Sequence, residues 1–270
     1  MPGWQLSALL NELRQNLLHD RSQQVAGASD YLWSDQTLVG YINEAQRRFA
    51  RESFVIHDNS TDAVTKITSV AWQKFYDLHP SVIQILSCKM IYTSADGSEY
   101  DHQALPRAGF DAFSNYHTPD PIFFDPNQLE QMKPGKPVAF GTDDGIVADA
   151  NGSFGVMQLR FFPTVSPEYA GISYRLRVVR EPINDLTLSN LAAYPEIPAA
   201  NHLDILDYAA YLALRNVDTD IAGADAPKRA ADFETRFDGN CAKAKKLVMR
   251  KLFAPLQWGF GRNGWSWETQ

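Results

Sequence analysis

Cysteine is scarce in this chain of 270 residues. Only Cys88 and Cys241 are present, and they lie far apart in the sequence. Two distant cysteines do not make a disulfide framework, so we expect an intracellular protein that folds in a reducing compartment. Each lies in an apolar periodic segment, where a small buried side chain is the simpler interpretation.

Long apolar runs are also missing. No stretch approaches the roughly 18 uninterrupted apolar residues of a membrane-spanning helix, so we expect no membrane association. The N-terminus lacks a basic stretch followed by an apolar run and a cleavage site, so we expect no secretory signal. The hydrophobic fraction of 44% is that of an ordinary globular protein and can supply one large core or two modest ones.

Motifs for catalysis or metal binding are absent too. None of the six histidines pairs with a histidine or cysteine at metal-ligand spacing. The glycines at 259–264 match a dinucleotide-binding consensus, but no strand precedes them and only six residues follow. There is no nucleophile elbow, P-loop or zinc-protease motif. We therefore expect no catalytic residues, no cofactor and no metal.

Helical periodicity occurs at both ends of the chain. Leucines spaced by three and four predict a helix over residues 4–18. Ser34 is placed to cap a second helix over 35–53, which carries a narrow apolar stripe. Two more helices are predicted over 203–217 and over 226–252, the latter with a proline in its first turn.

Between these helices, glycine and proline interrupt short β-branched and aromatic runs. Ile172–Arg180 mostly alternates apolar and polar residues, which predicts an antiparallel strand with one wet face. Asp96-Gly97 predicts a hairpin turn, Asp143-Asp144-Gly145 another, and Arg107–Asn115 a short helix. The predicted strands are 63–70, 82–92, 98–101, 137–141, 146–150, 154–162 and 172–180.

The order of elements predicts an α+β fold. Helices from 1–53 and 195–252 form one bundle, because each buries a stripe that it cannot bury alone. Residues 54–194 form an inserted antiparallel β-sandwich or barrel. Residues 253–270 form an extended aromatic C-terminal tail.

Two features exceed what this fold requires. The chain has a net charge of −7, yet residues 228–251 hold eight basic and three acidic residues, a local charge of +5. This face could be ordinary solvated surface, or it could meet an acidic neighbouring subunit or DNA. The tail holds three tryptophans, a residue typical of interface hot spots, although it could fold back on its own domain.

Several segments, in their order and spacing, resemble the head-to-tail adaptor proteins of short-tailed bacteriophages, and the tail tubular A type of adaptor is similar in architecture. The resemblance covers roughly residues 30–252. The segments that carry it are Leu32–Gln46, His79–Ile85, Arg180-Glu181-Pro182, Pro195-Glu196-Ile197-Pro198 and His202-Leu203.

The resemblance implies a structural role in the virion neck or tail. Such adaptors form a ring, commonly twelvefold, below the portal protein, and their central channel passes the genome as cargo during ejection. The helical bundle docks on the portal, and the β domain faces the tail nozzle protein or tail fibres. Assembly is expected in the host cytoplasm.

Site residues follow from this resemblance as hypotheses. Five aromatic residues are predicted to anchor the subunit in the portal: Phe253, Trp258, Phe260, Trp265 and Trp267. Six cations are predicted to contact acidic groups across the ring or on the portal: Arg47, Arg48, Arg51, Lys243, Lys246 and Arg250.

Two alternatives remain at this point. One is a carbohydrate-binding or carbohydrate-cleaving β domain, which a carboxylate pair across a groove lined by Trp72 or Tyr100 would support. The other is a different tail component, such as a nozzle or terminator subunit, which only location in the particle distinguishes from an adaptor.

Overall fold

The computed structural model describes residues 3–20, 31–94, 96, 98–107, 133–143, 157–216 and 225–262, without the side chains of Asp143 and of residues 253–262. The chain divides into two compact units. Met1–Ile56 and Glu181–Gln270 form the helical unit, and His57–Arg180 forms the β unit. The mixed α+β class predicted from the sequence is confirmed.

Five α-helices are present in the described residues. A π-helical turn over Leu13–Leu18 continues the first of them. The α-helices are α1 (Leu6–Glu12), α2 (Asp35–Ser53), α3 (Asp62–Thr65), α4 (Asp204–Arg215) and α5 (Ala226–Arg262), of which α3 alone belongs to the β unit.

Helix α2 begins and ends where local rules place its ends. The Ser34 hydroxyl accepts the backbone N–H of Thr37 at 3.1 Å, which confirms the predicted N-cap. The helix stops at Phe54, whose φ of 58° is left-handed, and the Phe54 N–H still reaches the carbonyl of Ala50.

The predicted end of the last helix at residue 252 is wrong. Helix α5 continues to Arg262, so residues 253–262 are helical and not extended. The segment after residue 252 shows no helical period, and its Pro255 lacks the N–H of a regular helical hydrogen bond. One proline removes one helical hydrogen bond, and the bonds on either side of it can hold the backbone helical. Residues 263–270 lie outside the described residues.

One apolar core joins the helices from both ends of the chain. The rings of Phe49 in α2 and Phe237 in α5 meet edge to face at 5.9 Å, and Tyr208 of α4 lies 4.9 Å from Phe237. Burying a large apolar side chain contributes about 1.5–3 kcal/mol, so these rings are a major source of stability in the unit. The stripe predicted on α5 is buried at Phe233, Phe237, Cys241 and Ala244.

A buried polar network attaches the returning chain to the N-terminal helices. The Asn43 side chain donates to the carbonyl of Leu186 at 2.9 Å and accepts the Leu186 N–H at 2.9 Å. His202 accepts the Trp4 N–H through Nδ1 at 2.9 Å, and its Nε2 contacts the carbonyl of Ile197 at 3.0 Å. These bonds satisfy backbone groups that would otherwise be buried without partners.

The β unit consists of two antiparallel sheets. One has the order β1-β8-β4-β5, with β2 also paired to β8, and the other has the order β3-β7-β6. The described strands form no closed barrel. The strands are β1 (His57–Asp58), β2 (Lys66–Thr68), β3 (Phe75–Asp77), β4 (Val82–Thr93), β5 (Glu99–Leu105), β6 (Ala139–Asp143), β7 (Gln158–Phe162) and β8 (Ser173–Arg180).

Both sheets contribute to one core. Phe161 of β7 packs between Tyr76 of β3 and Tyr174 of β8, with ring centroids 5.2 and 4.5 Å apart. Cys88 of β4 is fully buried here, and burial raises the pKa of its thiol to about 12. Burial therefore keeps Cys88 in the unreactive thiol form.

Some predicted β elements need correction. The pairing of Thr93 with Glu99 confirms a hairpin around Asp96. The strand predicted over 63–70 is shorter in the structure, where only β2 is a strand, because α3 occupies the first predicted residues. Strand β3 was not predicted, because a strand of three residues is too short to show a periodic pattern. Arg107 forms a β-bridge with Phe140 and does not start a helix. Residues 108–115, 146–150 and the turn at 144–145 lie outside the described residues.

We expect Asp58→Asn to lower the free energy of unfolding by about 3 kcal/mol at pH 7, because it breaks a nearly buried ion pair. Asp58 accepts the N–H groups of Ser60 and Thr61 at 2.9 and 3.0 Å and pairs with Arg180 at 2.7 Å. Burial alone would raise the pKa of this carboxyl, but these donors outweigh it and hold the pKa well below its usual range.

A depressed pKa in the folded state also fixes the pH dependence. The Asp58 carboxylate contributes its full stabilisation above its unfolded pKa of about 3.9, and this contribution is lost progressively as the pH falls from there through the lower pKa of the folded state. Urea unfolding at pH 7 and near pH 3 should therefore show the difference from wild type shrinking in acid. Asp101→Asn, which removes an exposed pair with Lys89, is the control and should cost less than about 1 kcal/mol. Equal losses for the two variants would contradict this.

Candidate interaction surfaces

Neither a metal site nor a membrane span is found in the part of the chain that the structure describes. There, no three residues among His, Cys, Asp and Glu come together in a way that could hold a metal ion. None of the described helices is both long and apolar enough to cross a bilayer.

Arg47 and Arg51 on α2 are half-exposed and already paired within the helical unit. Arg47 contacts Asp185 at 2.6 Å. Arg51 contacts Glu44 at 3.2 Å and Glu181 at 3.3 Å. Exposed pairs of this kind contribute less than about 1 kcal/mol each, so either arginine could exchange its carboxylate for one on a partner at little cost.

Arg48 has a different environment. It contacts Glu52 at 2.7 Å and Asp238 at 3.3 Å, and its guanidinium lies 4.4 Å from the ring centroid of Tyr208. Burial alone would lower the pKa of Arg48, but the bonds to Glu52 and Tyr208 hold it above its usual value. Arg48 thus remains charged while it connects α2, α4 and α5.

The outer face of α5 is the open basic surface of the helical unit. Lys243, Lys246 and Arg250 are exposed, and the described residues offer Lys246 and Arg250 no carboxylate partner. Lys243 reaches only the Asn240 side chain, at 3.5 Å. Leu247 lies among them on the same helix and is 56% exposed. An exposed leucine surrounded by unpaired cations suits a partner that is apolar at its centre and acidic at its rim. Leu247 was not among the predicted contact residues, because an isolated leucine beside an amphipathic stripe has no distinguishing pattern.

A groove of about 520 Å³ runs between the π-helical turn, α4 and α5. Leu17, Leu203 and Leu206 supply its apolar lining. Asp207 is nearly buried in it and accepts a hydrogen bond from Arg236. Burial raises the pKa of Asp207 although Arg236 opposes the shift. This groove was not predicted, because its three walls come from three separate segments of the chain.

The side chains of the five predicted aromatic anchors lie outside the described residues. The backbones of Phe253, Trp258 and Phe260 belong to α5, but their side chains lie outside the described residues. Trp265 and Trp267 lie outside them altogether.

The two residues proposed for carbohydrate binding are exposed, Trp72 by 62% and Tyr100 by 55%. A polar groove of about 390 Å³ does lie in the β unit, but neither aromatic residue is among those that line it. Its carboxylates are engaged, Asp58 with Arg180 and Asp101 with Lys89. This groove thus brings no carboxylate pair together with either aromatic ring.

A family model described as SU10 adaptor protein matches residues 5–257. That range includes most of both parts of the helical unit and the whole β unit. No curated protein matches the chain.

We expect Arg48→Ala to lower the free energy of unfolding by about 1–2 kcal/mol. The change removes the contact with the Tyr208 ring and leaves Glu52 and Asp238 without their shared cation. Lys246→Ala is the matched control on the open face and should stay within about 0.5 kcal/mol of wild type. Thermal or urea unfolding of both variants measures this, and similar losses would show that Arg48 does not brace the helices.

Proposed function

Because that match covers nearly the whole chain, the protein belongs to the SU10 adaptor protein family, and we propose that it forms a ring joining a bacteriophage portal to the tail nozzle. Membership of this family makes the protein a structural adaptor component of a phage virion. The ring, its site between portal and nozzle, and the passage of the genome through it are the proposed part. The family match is the observation that carries the proposal.

Electrostatics support a channel through which DNA passes without being held. With a net charge of −7, the chain has no overall attraction for phosphates. A tightly binding channel would retard the genome during ejection. We therefore propose DNA only as passing cargo, with the portal protein, the nozzle protein and further copies of the chain as the stable partners, and tail fibres as an additional one.

The C-terminal residues are the proposed portal anchor. Since α5 continues to Arg262, the first aromatic residues of this segment lie on a helix that begins inside the core of the helical unit. Such a helix presents side chains at fixed spacing and loses less conformational entropy on binding than a free tail would. The proposed anchoring residues are Phe253, Trp258, Phe260, Trp265 and Trp267.

The six cations predicted to make charged contacts differ in whether they already pair with a carboxylate of their own chain. Arg47, Arg48 and Arg51 already meet carboxylates of their own chain. Lys246 and Arg250, together with Lys243, form the open basic face around Leu247. We therefore propose this face of α5 as the principal charged contact with an acidic surface of the portal or of a neighbouring subunit.

We expect the purified protein to add a ring of density to its purified portal when the mixture is imaged by electron microscopy. Replacing Trp258, Trp265 and Trp267 together by alanine should weaken this binding at least tenfold, because truncating interface tryptophans typically costs about 2 kcal/mol or more each. The alanine variant keeps the chain at full length, so it complements a deletion of residues 253–270, which also shortens α5.

Two results would contradict this assignment. If the variant that lacks residues 253–270 binds the portal as strongly as wild type, the proposed anchor is contradicted but the adaptor role is not. A protein that ignores the portal but binds another tail component or a glycan would instead be a nozzle-type subunit or a carbohydrate-binding protein.

A further inference from the structure

The loop between β2 and β3, together with the first residue of β3, exposes three large apolar side chains of the β unit. Val70 is 50% exposed, Trp72 62% and Phe75 38%. We call Val70, Trp72 and Phe75 the apolar knob. Lys74 projects beside them, and no carboxylate of the described residues pairs with it. Three such side chains within six residues form a surface that loses free energy when it is covered.

The backbone of this loop is held rigidly. The Trp72 N–H bonds the carbonyl of Val165 at 2.9 Å, and the Val70 N–H bonds the Tyr76 hydroxyl at 3.0 Å. The Ser69 hydroxyl donates to the carbonyl of Tyr169 at 2.8 Å. A fixed loop presents its side chains without paying their ordering entropy at the moment of binding.

Trp72 also adopts a strained conformation. Its φ of 63° lies in the left-handed region, which costs a bulky residue about 1 kcal/mol or more. The Trp72 side chain is mostly exposed, so burial in the core does not explain why tryptophan occupies this position. The backbone conformation does not explain it either, because glycine would adopt the same turn more easily. An exposed indole on a strained, well-bonded loop is therefore suited to a contact outside its own chain.

The chemistry of the loop favours a protein partner over a sugar. The hydroxyls of Ser69 and Tyr76 and one N–H of the Gln73 amide bond carbonyls within the β unit, which leaves the loop few hydrogen-bonding groups for sugar hydroxyls. What the loop offers is apolar surface and the Lys74 ammonium. Its complement is an apolar pocket with carboxylates at its rim.

Such a pocket exists on the helical unit of the same chain. The groove lined by Leu17, Leu203 and Leu206 measures about 520 Å³, a volume that suits a small-molecule ligand and is ample for one indole. Leu203 is 43% exposed. Arg236 is paired with Asp207. The remaining charged residues that line the groove are two carboxylates, Glu12 and Asp204, and one cation, Lys243, so the net charge of these three is negative.

We propose that the apolar knob of one copy inserts into this groove of the next copy, with Trp72 over the leucines and Lys74 near the rim carboxylates. Knob and groove are different surfaces of one chain, so the contact is head-to-tail, and head-to-tail contacts close into rings when the rotation permits. The inference rests on the proposed ring and names its lateral contact. Among the described residues, the knob side chains Val70, Trp72 and Phe75 are exposed, and so is Leu203 in the groove.

Disulfide trapping tests the geometry directly. Lys74→Cys combined with Gly239→Cys places one thiol beside the knob and one in the groove. A Cβ added at Gly239 meets nothing within 4 Å, and the native Cys88 and Cys241 are buried. Mild oxidation should give covalent multimers on a non-reducing gel, since a disulfide needs Cα atoms within about 7 Å. Tyr92→Cys combined with Gly239→Cys, with its first thiol on another exposed site of the β unit, should give none.

Trp72→Gly separates binding from folding. Glycine relieves the positive φ and removes a mostly exposed side chain, so the unfolding midpoint should stay equal or rise. Self-association measured by sedimentation should nevertheless weaken at least tenfold, and trapping in the Lys74→Cys, Gly239→Cys background should fall accordingly. Trp72→Ala keeps the strained backbone and should lose association equally.

Several outcomes would overturn the inference. These are unchanged association of Trp72→Gly, a disulfide that forms only within one chain, and failure to trap multimers both in solution and on portal rings. Trp72-dependent binding to soluble oligosaccharides or to phosphatidylglycerol vesicles would assign the loop to a different ligand. If the protein binds the portal but no disulfide-linked multimers form, only the proposed lateral contact is contradicted. If multimers form but do not bind the portal, only the proposed adaptor role is contradicted.

Discussion

The ion pair between Asp58 and Arg180 lies where the chain enters and leaves the β unit. Strand β1 pairs with the end of β8, so that His57 faces Val179 and Asp58 faces Val178. The first and last residues of this 124-residue segment, His57–Arg180, are therefore neighbours. A segment whose ends are adjacent can be inserted into another unit without separating the helices on either side of it.

This closure matters because the helical unit cannot form from one end of the chain. The stripe of α2 is buried against α4 and α5, which are encoded after the β unit, and Phe49 meets Phe237 at its centre. Asn43 then binds the returning chain at Leu186 through two hydrogen bonds. The fold thus depends on long-range contacts, whose loop-closure entropy is offset by a single large apolar core.

The surfaces proposed for function are those whose groups remain unsatisfied after folding. Arg47, Arg48 and Arg51 are neutralised within the chain, whereas the basic face around Leu247, the apolar knob and the leucine groove are not. The knob belongs to the β unit, whereas the basic face and the groove both lie on α5 of the helical unit and share Lys243. A subunit of the proposed ring has to contact both its lateral neighbours and its axial partners.

The sequence by itself determined the elements that depend on neighbouring residues. The Ser34 cap, the stripes of α2 and α5, the hairpin at Asp96 and strand β8 follow from local rules of spacing, capping and turn chemistry. Local rules did not predict that α5 continues through Pro255. They also did not predict β3, which is too short to show a period.

Only the tertiary structure decided which charges are paired and which apolar side chains are exposed. Arg48 meets Asp238 and Tyr208, Asp207 meets Arg236, and Trp72 is left uncovered. Each of these facts depends on segments that approach one another only when the core forms. Pairing and burial are properties of neighbours in space, and those neighbours are chosen by the burial of apolar surface over the whole unit.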